Sequence, residues 1–227
     1  MVICLAVLAT AFAAYKYPDL SKTCRPLVGG SQIVIGCGFL CLHKCTAGFA
    51  AVAPSSDFSR VVSYGITTAG HYGSVGNYVY QPAWSLFVDN HVATVARDND
   101  LQINGLYARK LGNVNITNKV LKCSPTGYAR VVGFMPFFSE IKPRVDRGER
   151  ILVTKYGAAT RETSGYIVGA FYNITFNIEG RLVTRYYQLI IKGVRAEKGD
   201  SGAPVYEDPY YGGRAPFEPW IRLVGVV

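Results

Sequence analysis

The stretch Lys198-Gly199-Asp200-Ser201-Gly202-Ala203-Pro204-Val205 sets a serine close between two glycines, on a turn that leads into an apolar strand. Such a turn exposes one hydroxyl. Gly199 lets backbone amides approach closely, so its own N–H and that of Ser201 can converge on a developing oxyanion. Gly-Asp-Ser-Gly is also an ordinary turn composition, so a second element is needed. A hydroxyl is a poor nucleophile until a base takes its proton, and that requires a histidine elsewhere in the chain.

The sequence has three histidines. His71 ends the run Gly65-Ile66-Thr67-Thr68-Ala69-Gly70-His71, whose β-prone residues give way to small ones that leave room around an imidazole. His43 lies among cysteines and His91 follows Asn90 in a turn-like setting, and both read as surface or structural histidines. A carboxylate should hold the base in one tautomer and stabilise its cation. Asp89, Asp98 and Asp100 compete for that role.

Taken together, Gly199 to Val205, the Thr68-Ala69-Gly70-His71 segment and Asn99-Asp100-Leu101-Gln102-Ile103 resemble the nucleophile, base and acid motifs of the chymotrypsin-like (trypsin-like) serine proteases. Val28-Gly29-Gly30 looks like that family's mature N-terminus. Cys45-Thr46-Ala47-Gly48-Phe49, and Val153 to Thr160 on through Gly165, are similar to its streptogrisin-like branch.

The resemblance implies an all-β fold of two six-stranded antiparallel barrels, one over about residues 27–122 and one over about 123–227. It implies a serine endopeptidase with His71, Asp100 and Ser201 as catalytic residues, Asp98 being the runner-up to Asp100. The amides of Gly199 and Ser201 form the oxyanion hole. Asp200 gives structural support by pairing with a cation, either a freed amine at Val28 or an internal arginine such as Arg144, Arg147 or Arg150. The chemistry needs only water beside a protein or peptide substrate, so no cofactor or metal is expected, and the protein is expected to be a monomer.

Composition agrees with an all-β chain. Of 227 residues, 49% are hydrophobic, which supports a substantial core, and 24 Gly with 11 Pro break the apolar runs into short strands and turns. Expected strands are Ser31–Ile35, Gly48–Val52, Val61–Thr68, Tyr78–Tyr80, Trp84–Val88 and His91–Ala96. In the second half they are Tyr128–Phe134, Arg150–Val153, Gly165–Ile178, Leu182–Ile191, Ala203–Val205 and Ile221–Val227.

Residues 1–14, MVICLAVLATAFAA, read as a secretory signal that is too short to span a bilayer. Residues 15–26 read as a short propeptide or N-terminal arm, and 27–227 as the protease domain. A secreted, extracellular glycoprotein is therefore expected, with sequons at Asn115 and Asn173. The net charge of +9 is interleaved with Asp146 and Glu149 in its densest stretch, Lys142 to Lys155, which argues against nucleic acid as a partner. No later segment looks membrane-spanning.

Three features depart from the family pattern. Tyr72 stands where a cysteine directly after the base would pair with the equivalent of Cys45. Cys45 is therefore free or paired with Cys24, Cys37, Cys41 or Cys123; disulfides suit a secreted chain better than a zinc cluster of Cys37, Cys41, His43 and Cys45. The sequence ends at Val227, in the strand leading toward the specificity pocket, so the second barrel is expected to be incomplete. Arg195 approaches the place where pocket character is set, yet also reads as a solvent-facing side chain. These departures keep open an inactive homologue acting as a secreted binding or effector protein, and more remotely a surface-binding β protein displaying some of its 16 Tyr.

Overall fold

The computed structural model describes residues 22–38, 41–82, 90–99, 105–122, 126–178, 180–210 and 219–227. The first strands in chain order are β1 (Leu27–Gly29), β2 (Gln32–Gly38), β3 (Cys41–Thr46), β4 (Ala50–Pro54), β5 (Val61–Ala69), β6 (Tyr78–Tyr80), β7 (His91–Asn99) and β8 (Gly105–Lys110). They are followed by β9 (Ile116–Leu121), β10 (Tyr128–Phe134), β11 (Ile151–Gly157), β12 (Arg161–Ile178), β13 (Arg181–Lys192), β14 (Pro204–Glu207) and β15 (Trp220–Val226). A π-helical turn, Phe137–Ile141, runs into the short helix α1 (Lys142–Asp146), whose Pro143 sits in the first turn, where its missing N–H costs nothing. Among the described residues no helix is long and apolar enough to cross a membrane.

The strands form two curled sheets, the all-β double-barrel architecture expected from the sequence. One sheet has the order β3-β2-β6-β7-β8-β5-β4, and the other β1-β9-β10-β15-β14-β11-β12-β13. Each sheet holds more than six strands, and two pairs are parallel, β1 with β9 and β10 with β15. Both β1 and β9 fall within residues 27–122, the span expected for the first barrel, yet belong to the second sheet, with β1 at its edge and β9 beside it. The expected Trp84–Val88 strand lies outside the described residues, as do the first 21 residues with the expected signal.

Three buried clusters explain the patterning, one of them joining Val28, Val120 and Leu121 to Tyr156, Tyr206 and Ile221. Ile33, Ile35, Val79, Val95, Leu106 and Ala108 close the first sheet, each large aliphatic side chain contributing roughly 1.5–3 kcal/mol by leaving water. In the second sheet, Ile151, Val153 and Ile167 pack with Met135, Ile141 and Val205. β11 lies between β12 and β14 and is buried along almost its whole length, so its burial shows no alternation and takes in Thr154 and Lys155.

Thr46, fully buried at the end of β3, joins the two halves. Its amide donates to the Ser201 carbonyl at 2.9 Å, and its hydroxyl donates to the Gly199 carbonyl at 2.7 Å while accepting from the Ala158 amide at 3.0 Å. Its carbonyl in turn accepts the Thr68 hydroxyl at 2.8 Å. One residue of the first sheet therefore bonds to the serine turn, to the β11–β12 turn and to the strand that leads to His71.

Candidate active site

The serine turn is shaped by its two glycines. Gly199 (φ +108) and Gly202 (φ +87) both occupy the region that side-chain-bearing residues avoid. A Cβ on Gly202 would also lie 2.2 Å from Thr68 Oγ1, 2.4 Å from the Thr46 carbonyl oxygen and 2.9 Å from the Ala69 amide nitrogen. The backbone after Ser201 is thus pressed directly onto the end of β5. Two residues on from Ala69, His71 occupies the middle of a 3₁₀ turn, Gly70–Tyr72, with its side chain exposed, while Ser201 is half-buried.

Asp200 fixes the turn from below. Its carboxylate and the Lys155 ammonium are both completely buried, with Nζ 3.1 Å from Oδ2. Oδ1 accepts the amides of Ala159 at 2.9 Å and Thr160 at 3.1 Å; Oδ2 accepts the Thr160 hydroxyl at 2.6 Å and the Glu197 amide at 3.0 Å. Burial pushes the Asp200 carboxyl up, but the bonds from Thr160, Glu197 and Lys155 outweigh it and hold its pKa below the usual aspartate value. Burial draws the Lys155 ammonium below the usual lysine value, and Asp200 opposes that only in part.

The cation expected at Val28 or an internal arginine is therefore Lys155. Val28 is buried within β1. Arg144 and Arg147 lie at the surface, bonded to Glu149 at 2.9 Å and 2.7 Å, and Arg150 is exposed. Arg195 is likewise solvent-facing, its Nε donating to Glu197 at 2.9 Å; its carbonyl accepts the Thr163 hydroxyl at 3.0 Å.

Asp100, the preferred orienting carboxylate, and its competitor Asp89 lie outside the described residues. Asp98 is described on β7, paired with Leu106 of β8, and lines a cavity of about 1130 Å³ between the sheets. Thr68, Tyr107, Tyr187, Val205 and Val227 line the same cavity.

A residue read from sequence only as a missing cysteine turns out to be central. The Tyr72 hydroxyl donates to Ser201 Oγ at 3.2 Å. Its ring packs against the first core and lies 4.1 Å from the His71 ring and 5.4 Å from the His43 ring, centroid to centroid. Cys45 is a free, buried thiol, and burial pushes its pKa up to about 12, so it stays protonated. His91 is held by its neighbours, with Nε2 2.8 Å from the Ala93 carbonyl oxygen and its ring between Tyr78 and Tyr80.

The fold has counterparts among solved structures. A Nocardiopsis protease aligns with a TM-score of 0.53 and 26% identity over 78% of this chain and 77% of that one. A chymotrypsin from Cellulomonas bogoriensis aligns with a TM-score of 0.53 and 24% identity, over 79% and 76% of the two chains. This chain has the chymotrypsin-like serine protease fold. A glutamic-acid-specific serine protease shares that fold at 15% identity and a TM-score of 0.51, over 85% of this chain and 89% of that one. No protein-family model matches the chain, and no curated protein matches it by sequence.

Proposed function

We propose that this chymotrypsin-like chain is a secreted serine endopeptidase with Ser201 as nucleophile, His71 as general base, Asp100 as the carboxylate that orients His71, and the amides of Gly199 and Ser201 as the oxyanion hole. The observation that carries the reading is the serine turn seated on Thr46, Thr68 and Ala69, because it brings the Ser201 backbone against the segment that ends in His71. The pronounced burial of Lys155 and Asp200 supports it further, since a rigid turn is what a preorganised oxyanion hole requires.

The chemistry follows from those roles. His71 removes the Ser201 proton as Oγ attacks a peptide carbonyl, and the two amides stabilise the oxyanion. Collapse expels the amine, which takes the proton from His71, and leaves an acyl ester on Ser201. Water, deprotonated by the same histidine, then releases the acid. The apolar N-terminal 14 residues support secretion, and the protein or peptide substrate would enter between the sheets.

Labelling with a fluorophosphonate probe tests the reading, because only an activated serine reacts readily. Covalent modification of the folded protein that vanishes in Ser201→Ala is the expected result. An intact, folded protein that takes no label would instead be a protease-like binding protein.

A further inference from the structure

Tyr72 occupies a position that the triad chemistry does not require, yet its hydroxyl meets the reacting atom. We propose that Tyr72 is a further catalytic residue, whose phenol holds Ser201 Oγ in its attacking orientation; this rests on Ser201 being the nucleophile. A serine hydroxyl has one proton to donate and two lone pairs to accept with. Tyr72 donates into one lone pair at 3.2 Å, so the Ser201 proton remains available to His71 and the second lone pair remains available for attack on a carbonyl carbon.

The phenol is well placed to fix that geometry. Its ring is packed on the first core and flanked by the imidazoles of His71 and His43, so it cannot swing freely. Ser201 is anchored independently through its carbonyl by Thr46. With backbone and hydroxyl both held, Oγ loses little further freedom on reaching the transition state, the condition under which orientation contributes to rate. As the proton moves to His71, charge grows on Oγ and the bond from Tyr72 strengthens, a donor to an anion being about twice as strong as one to a neutral oxygen.

Tyr72→Phe retains the ring and removes the donor. The second-order rate of fluorophosphonate labelling should fall about 3- to 10-fold, as expected for one hydrogen bond of ordinary strength, with the thermal midpoint nearly unchanged. With a peptide substrate, kcat should carry the loss and KM should stay level. A double-mutant cycle of Tyr72→Phe and Ser201→Ala on the urea midpoint tests the contact without reference to activity, and the two shifts should be non-additive. Additive shifts overturn the contact, and the proposal with it. Wild-type labelling with an unchanged rate in Tyr72→Phe overturns the proposal alone. No labelling of wild type, with non-additive shifts, overturns the nucleophile assignment and therefore this role of Tyr72 too.

Discussion

The Lys155 ammonium lies 3.1 Å from the Asp200 carboxylate, neither side chain exposing any surface. A charge removed from water in this way is tolerable only while its partner and hydrogen bonds remain. Lys155→Met and Asp200→Ala should each lower stability by about 3–5 kcal/mol, because each leaves the other charge buried and unpaired. Urea unfolding of both single variants and the double variant checks this, and the double loss should fall short of the sum of the singles.

The same pair gives stability a pH dependence of known sign. The folded-state pKa of Asp200 lies below its ordinary value, so the folded protein binds that proton less readily than the unfolded chain. Its contribution is complete above the unfolded aspartate pKa of about 3.9 and is lost as pH falls through the depressed folded value. The thermal midpoint should therefore drop below about pH 4, and an Asp200→Asn variant should show a shallower drop from a lower starting point.

Cys45 should be inert in the native state. Its thiol is buried and held protonated by a pKa of about 12, and it is the thiolate that attacks. Iodoacetamide at pH near 8 should leave the Cys45 peptide unmodified until denaturant is added, whereas Cys24, a partly exposed free thiol, should react first. Rapid native modification of Cys45 would contradict the packing described around it.

Gly202→Ala should be among the most damaging single-methyl additions in the chain. The new Cβ would collide with Thr68, Thr46 and Ala69 and would hold a positive φ, together costing about 3 kcal/mol or more. A lowered urea midpoint accompanied by lost fluorophosphonate labelling is the expected outcome. Gly112→Ala, with open space around the site, should leave both unchanged.

Some of this was legible in the residues alone. Tyr78–Tyr80 and Tyr128–Phe134 form strands with the bounds read from sequence, because β-branched and aromatic residues there are bracketed by turn residues. β3, β8 and β9 escaped notice: Cys-Leu-His-Lys-Cys-Thr reads first as a ligand cluster, Gly-Leu-Tyr-Ala-Arg-Lys is strongly basic, and β9 begins inside a glycosylation sequon. Lys155 was equally hidden. Its meeting with Asp200 depends on the register that sets Lys155 opposite Val205, and register is a property of the paired strands. A single lysine within the apolar run Ile151-Leu152-Val153-Thr154-Lys155-Tyr156 was the available signal. Tyr72 gave none, since nothing in one sequence tells a residue that fills a vacated cysteine site from one that reaches across to the serine.

The bonds of Thr46 to Gly199, Ser201 and Ala158 have a consequence for how the protein is made. The serine turn is written in the last part of the chain, but its carbonyls are satisfied by a threonine synthesised about 150 residues earlier. A ribosome that has released only the first sheet has built half a socket. The geometry of the Ser201 turn comes into being when the second sheet closes onto it, so an incompletely folded chain carries Ser201 without the scaffold that holds it.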